Sequence, residues 1–343
     1  MKQDIKSMLP DELAEYIDSI GEQSFRSQQI FSWLHKGTFD FSDMTNLPAD
    51  LRSKLNDEFY ISCPVSAEKH VSKKDGTIKY LLQVKNDDFI ECVLMEHVHG
   101  NTLCVSSQVG CKMGCMICAS ALAGFKRDLT ASEMIDQVLF ASKDSNKRVS
   151  NIVLMGIGEP LDNFENMIRF IKLVSHPKGL NIGARHITLS TCGITENIDR
   201  LAEYDVQLTL AISLHAPDDE TRSYLIPRNK ISNVESLLKS AEKYFKTTGR
   251  RVTFEYALIE GINDSTEQAE LLSIQMKKIA GHLNLIELNT IPENGLIPAG
   301  KESTIDFTGI LIKNGVNFTI RRSKGADIKA ACGQLRNRRN SEK

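Results

Sequence analysis

Three cysteines stand in one short loop, Cys111-Lys112-Met113-Gly114-Cys115-Met116-Ile117-Cys118, with three residues in the first gap and two in the second. Thiolates are soft ligands suited to zinc or to iron–sulfur clusters, and Gly110 and Gly114 let so short a loop wrap a compact metal centre. Three thiolates leave one position unfilled. A structural zinc site asks for a fourth nearby ligand, and the nearest candidates, Cys104 and His99, do not make a second close-set pair. On a four-iron cluster, three cysteines leave one iron open to a substrate or cofactor. Spacing alone keeps a zinc site and three merely buried cysteines as alternatives.

A loop of this kind needs a frame. Beyond Asn101 the sequence alternates short apolar runs with helical stretches, the pattern of successive β-α units around a parallel sheet. Strands are predicted at 102–106, 152–155, 186–190, 208–213, 252–258, 285–288 and 318–321, with helices between most of them, for example 131–141 and 266–279. Such strands are buried on both faces, so an open or closed α/β barrel is expected, with its active face at the strand C-termini. The cysteine loop follows the first strand, and Gly156-Ile157-Gly158-Glu159-Pro160 the second. Ser190-Thr191-Cys192-Gly193 stands at the third, Ser213-Leu214-His215 at the fourth and Asn289 at the sixth.

Residues 1–75 read as a small helical unit. Leu13 with Ile17 and Ile30 with Leu34 are i,i+4 pairs, Gly21 is a stop, and a third helix starts near Pro48 with Leu51 and Leu55 on one face. Residues 76–96 form a linking β-hairpin with its turn at 85–88, 97–327 the main α/β domain, and 328–343 a C-terminal segment. The 343 residues are 41% hydrophobic and 25% charged, an ordinary globular composition. No apolar run approaches the roughly 18 residues of a spanning helix, and the N-terminus lacks a signal segment; a cytoplasmic protein with no membrane partner is expected. Eight cysteines are too sparse for a disulfide scaffold. A net charge of −2 excludes a strongly basic coat protein but leaves room for a local RNA-binding patch.

The triple-cysteine spacing resembles that of the radical S-adenosylmethionine (SAM) superfamily, and further stretches resemble one branch of it, the RlmN family of 23S ribosomal RNA adenine methyltransferases. They are Cys104-Val-Ser-Ser-Gln-Val-Gly-Cys111, Met155-Gly-Ile-Gly-Glu-Pro160, His186-Ile-Thr-Leu-Ser-Thr-Cys-Gly193, Leu210-Ala-Ile-Ser-Leu-His-Ala-Pro217, Arg251-Val-Thr-Phe-Glu-Tyr256, Gly261-Ile-Asn-Asp-Ser265 and Ala330-Ala-Cys-Gly-Gln-Leu335. They run in the family's order from the hairpin to the C-terminus. The resemblance implies a partial, open TIM-like barrel with a small helical N-terminal accessory domain, and a 4Fe-4S cluster on Cys111, Cys115 and Cys118. SAM would be contacted by Gly158, Glu159, Ser190, Ser213, Leu214, His215 and Asn289, two molecules being used per turnover. It further implies a methyl-carrying cysteine at Cys332, a resolving thiol at Cys104 and a proton acceptor at Glu91. Disulfide exchange asks for an accessible, low-pKa thiol.

The implied reaction is methylation of C2 of adenosine 2503 in 23S rRNA, with adenosine 37 of tRNA a second substrate and flavodoxin or ferredoxin the electron donor. Arg321, Arg322, Lys324, Lys329, Arg336, Arg338 and Arg339 surround Cys332 in sequence and suit phosphate contacts; a solubilising tail is the plainer reading of the last three. Cys63, Cys92 and Cys192 read as small apolar fillers. Two departures from the family's usual strings, Cys118-Ala-Ser-Ala121 and Leu225-Ile-Pro-Arg-Asn229, leave the chemistry intact. The rival Cfr branch modifies C8 of the same adenine; Pro160 after Glu159 favours C2. From other classes, a metal-stabilised RNA-binding module predicts bound zinc and no role for Cys332 or Glu159, and a radical enzyme acting on a small molecule gives Cys104 and Cys332 no joint task.

Overall fold

The computed structural model describes residues 2–204, 206–279 and 281–336; Arg338 and Arg339 lie outside them. The chain begins with helices α1 (Pro10–Ser19), α2 (Phe25–His35) and α3 (Ala49–Glu58). Pro10 occupies the first turn of α1, where its missing N–H costs no hydrogen bond, and the Glu12 carboxylate returns to the Leu9 N–H at 2.7 Å. Leu13, Ile17, Ile30, Leu34, Leu51 and Leu55 are all buried, so the i,i+4 pairs read from the sequence are the inner faces of these helices.

Ten strands form one sheet: β1 (Val65–Val71), β2 (Ile78–Val84), β3 (Asp88–His97), β4 (Gly100–Cys104), β5 (Val149–Leu154), β6 (Ile187–Thr191), β7 (Thr209–Ser213), β8 (Thr253–Leu258), β9 (His282–Glu287) and β10 (Phe318–Arg321). They lie side by side in chain order. The pairs from β4 to β10 are parallel, while β1 to β4 run antiparallel. The predicted strands are present with ends shifted by a few residues; the sixth starts at His282, not 285. The hairpin predicted at 76–96 is β2 and β3, hydrogen-bonded into the same sheet as the barrel strands. Strand β1 was not anticipated: it is a mostly exposed edge strand with no apolar alternation to reveal it.

Helices α4 (Ala131–Ser145), α5 (Phe164–Ser175), α6 (Thr195–Glu203), α7 (Asp219–Leu225), α8 (Val234–Thr248), α9 (Thr266–Ile279) and α10 (Lys301–Lys313) connect the parallel strands. A capping box fixes the start of α4, with the Glu133 carboxylate on the Thr130 N–H at 2.9 Å. None of the described helices is long and apolar enough to cross a membrane.

The sheet is open, with β10 and β1 at its two edges. Beyond β10, residues 325–336 cross the gap as a strap. Gly325 N–H donates to Asp75 at 2.9 Å, Ser72 Oγ to Asp327 at 2.8 Å, and Arg336 N–H to Glu91 at 2.8 Å.

The N-terminal helices are fastened to the sheet by a buried charge. Lys6 and Asp136 of α4 are 1% and 2% exposed and form an ion pair, and Lys6 Nζ also donates to Ser62 O at 2.5 Å. Burial pushes the Asp136 carboxyl up to about 6 even beside this cation. Breaking such a pair strands its partner in a low-dielectric site. Lys6→Ala is expected to cost about 3–5 kcal/mol of stability in urea titration; a loss below about 1 kcal/mol, the size of an exposed pair, would contradict this account.

Candidate active site

The cysteine loop is braced before it begins. Gln108–Gly110 pairs antiparallel with Phe125–Asp128, and the Cys111 N–H donates to Gly124 O at 2.9 Å. Gly110 has φ +77°, and a Cβ there would stand 1.7 Å from Gly124 O, so no other residue fits. On the far side the Met116 N–H donates to Leu225 O of α7 at 2.9 Å. Cys111, Cys115 and Cys118 line one cavity of about 1020 Å³ including its open mouth.

The strand C-termini supply the rest of that cavity. Gly158, Glu159, Ser190, Ser213, His215, Asn289 and Cys332 all line it. Leu214 does not: its side chain is fully buried in the core, and only its backbone lies near the site, the N–H donating to Glu255 O at 3.0 Å. Burial pushes the Cys111 thiol up to about 12 and raises that of Cys115 well above its ordinary value. Thiols in such a place ionise only when a cation takes them, which fits a metal centre. Among the described residues no three His, Cys, Asp or Glu side chains converge on a point that would hold a single ion. Three thiols on one cavity suit a four-iron cluster that keeps one iron open.

Gly158 has φ +107°, and a Cβ on it would stand 2.6 Å from that of Gln108, so this turn brings bare backbone to the cavity wall. Glu159 is 4% exposed. Its two oxygens accept the N–H groups of Leu161 at 3.0 Å and Cys192 at 2.8 Å. Burial raises its pKa, and these hydrogen bonds hold it down. His215 sits at φ +57° and its Nδ1 accepts the Ala257 N–H at 2.9 Å. Burial carries its pKa down to about 3, so the ring is neutral and its proton is on Nε2.

Cys332 is carried by the strap to the boundary between two cavities. It lines the cysteine-loop cavity and also a second one with Cys104, His97, Arg321, Arg322 and Lys324. Its turn is bolted to the loop: the Ala119 N–H donates to Gly333 O at 2.7 Å, Ser120 Oγ to Leu335 O at 2.7 Å, and Asn289 Nδ2 to Cys332 O at 3.1 Å. Surrounding protein pushes the Cys332 thiol up to about 11. Cys104 corrects the expectation of an accessible, low-pKa thiol. It is 8% exposed, and burial with the nearby Cys332 sulfur pushes it up to about 12.

Glu91 opens instead onto a third cavity, across the strap from Cys104, where its carboxylate meets Lys79 at 3.3 Å and the Arg336 N–H. Lys329 lines that cavity too, while Arg336 pairs with Glu293. One cysteine departs from its reading as a filler: Cys63 is exposed, whereas Cys92 is fully buried and Cys192, at 7% exposure, packs among apolar side chains at the wall of the cysteine-loop cavity.

Several site residues escaped the sequence reading. Glu255 lines the cavity at 4% exposure and accepts from Asn284 at 3.0 Å and Arg321 at 3.3 Å. Gln108 accepts the Glu159 N–H at 2.9 Å. Arg222 is wholly buried behind the strand ends. The string Glu-Thr-Arg-Ser around Arg222 reads as an ordinary exposed helix face, and nothing in it signals burial.

Comparison with known proteins agrees with this geometry. The Radical SAM superfamily profile matches residues 105–272, and that of the ribosomal RNA large subunit methyltransferase N-terminal domain matches residues 3–61. A Clostridium novyi protein named as a probable dual-specificity RNA methyltransferase RlmN is 48% identical over 95% of both chains. A Geobacillus kaustophilus protein of the same name is 48% identical over 98% of this chain and 93% of its own. The crystal structure of a radical SAM methyltransferase from Sphaerobacter thermophilus superposes with a TM-score of 0.91 at 40% identity, covering 97% of this chain and 99% of that one. With near-complete coverage, a shared N-terminal unit and a shared backbone, this chain belongs to the RlmN family of radical SAM methyltransferases.

Proposed function

We propose that this chain acts in the cytoplasm to methylate C2 of an adenosine in 23S ribosomal RNA, and C2 of an adenosine in transfer RNA, through a methyl group carried on Cys332. The observation that carries the reading is the place of Cys332 between two cavities, one holding the three cysteines and the SAM-binding candidates, the other Cys104 and basic side chains. An enzyme for a small molecule has no use for that second thiol, and a binding module has none for either. The dual specificity in the relatives' names supports two RNA classes.

When bound on Cys111, Cys115 and Cys118, the cluster supplies the electron that cleaves SAM to a 5′-deoxyadenosyl radical, a flavodoxin or ferredoxin being the donor. Gly158, Glu159, Ser190, Ser213, the Leu214 backbone, His215 and Asn289 hold SAM, with neutral His215 a donor through Nε2. Cys332 would give up its thiol proton and take the methyl group of one SAM as the sulfonium S–CH3 bond breaks, and would then present that methyl carbon to the base. Arg321, Arg322 and Lys324 hold the RNA backbone at the second cavity. Glu91 takes the ring proton, which requires the strap to release the Arg336 N–H. Once the ring has also passed its surplus electron back to the bound cluster, the Cys104 thiolate would attack the Cys332 sulfur: the S–S bond forms as the bond from that sulfur to the methylene carbon breaks, and the released carbon takes a proton to become the methyl group.

Nucleosides from ribosomal and transfer RNA of cells with and without the gene, separated by chromatography and mass spectrometry, are expected to differ in 2-methyladenosine. A difference in 8-methyladenosine alone overturns the C2 assignment. Identical nucleosides overturn the RNA reading.

A further inference from the structure

Arg222 on α7 has no accessible surface, yet among the described residues no carboxylate pairs with it. Its donors go to neutral acceptors: Nε to Leu214 O at 3.1 Å, Nη1 to Asn229 Oδ1 at 2.8 Å, and Nη2 to Cys192 O at 2.6 Å and Ser213 O at 3.1 Å. These bonds occupy four of its five N–H groups but supply no opposite charge. A buried guanidinium without a counter-ion carries a large desolvation cost. Burial lowers its pKa only to about 10, so it remains a cation at neutral pH.

The groups whose negative charge would stabilise it are Cys192, Cys115 and Asp219, in that order, but burial keeps both thiols protonated until a cation takes them. Asp219 is turned away, accepting from Asn229 Nδ2 at 3.0 Å and the Val234 N–H at 2.8 Å. Cys115 belongs to the cysteine loop, which α7 itself holds through the bond from Met116 N–H to Leu225 O. The cation is thus fixed by four bonds on the same helix that fixes the loop. Three thiolates ligating a four-iron cluster bring a net negative charge that grows on reduction.

We propose that Arg222 is a positioning residue whose fixed charge serves as the counter-ion of the iron–sulfur cluster and eases its reduction. The inference rests on the placement of a cluster on Cys111, Cys115 and Cys118. Removing a buried positive charge beside an anionic centre disfavours the more negative, reduced state. Its bonds to Cys192, Leu214 and Ser213 also tie together the strand ends that face the cavity, so charge and tethering must be separated by the choice of variants.

The test is a redox titration of anaerobically reconstituted full-length protein, followed by electron paramagnetic resonance of the reduced cluster, with iron counted per chain. Arg222→Gln, which removes the charge, is expected to lower the ratio of reduced to oxidised cluster at a fixed potential about tenfold, a shift of about 59 mV to more negative values for one electron. Arg222→Lys keeps the charge while losing the fork of hydrogen bonds, and is expected to retain the parent midpoint although it melts at a lower temperature. Arg222→Met, which keeps an unbranched side chain without the charge, is expected to give the same negative shift, which keeps the test decisive if Arg222→Gln does not fold. An unchanged midpoint in Arg222→Gln or Arg222→Met, or an equal negative shift in Arg222→Lys, overturns the proposal. Parent protein that holds iron in no four-iron form overturns the cluster placement instead, a separate and distinguishable failure.

Discussion

Purified Cys104→Ala protein is expected to carry RNA covalently attached through Cys332, seen as a mass increase that nuclease removes, whereas Cys332→Ala is expected to carry none. The two thiols line one cavity, so on the proposed mechanism a base joined to Cys332 is within reach of Cys104, and each loss is expected to stop the reaction at a different step. Without Cys332 there is no methyl carrier, and RNA modification is lost while the cluster remains. Without Cys104 the methyl still reaches Cys332 and the carbon still joins the base, but no thiol resolves the adduct. With its thiol pushed up to about 12, Cys104 is almost wholly protonated at neutral pH, and the attacking species is the thiolate. Resolution in the parent protein is therefore expected to quicken as pH rises, read from the decay of the adduct after rapid mixing. Normal turnover by Cys104→Ala with no trapped RNA would remove the resolving role from this residue.

Alanine at Cys111, Cys115 or Cys118 is expected to abolish SAM cleavage altogether, with reconstituted parent protein holding about one four-iron cluster per chain. The three thiols are set by different constraints, Cys111 by the Gly124 brace and Cys115 by the bond from its neighbour Met116 to α7, so no one can shift to cover for another. Cleavage at the parent rate in any of these variants would sink the cluster assignment. Zinc bound in place of iron by protein purified without oxygen would point to the structural alternative.

Much of the frame was legible in the sequence because buried parallel strands and their helices write strong periodicity. The helix predicted at 266–279 has those bounds, and Leu13, Ile17, Ile30 and Leu34 pack as their spacing requires. Strand β1 was missed because an edge strand exposed on both faces carries no such pattern. At the site, local strings named the residues of the cavity, and strand ends converge by the nature of a barrel. What local strings do not encode is the environment a side chain finds. Cys104 stands in a strand ending and turns out buried beside Cys332, Glu91 faces the far side of the strap, and Arg222 looks like surface charge yet touches no water. Each depends on partners far away in sequence.

The strap has a consequence for how the molecule comes into being. Its bonds to Ser72, Asp75 and Glu91 join residues 245 to 255 positions apart, so they cannot close until every strand of the sheet has been synthesised. A growing chain holds the cysteine loop and the helices around it before Cys332 has been made. Ala119 and Ser120, which clasp the strap, sit one and two residues after Cys118. A chain that has not yet reached residue 336 therefore carries the cysteine loop without the full strap that sets Cys332 against it.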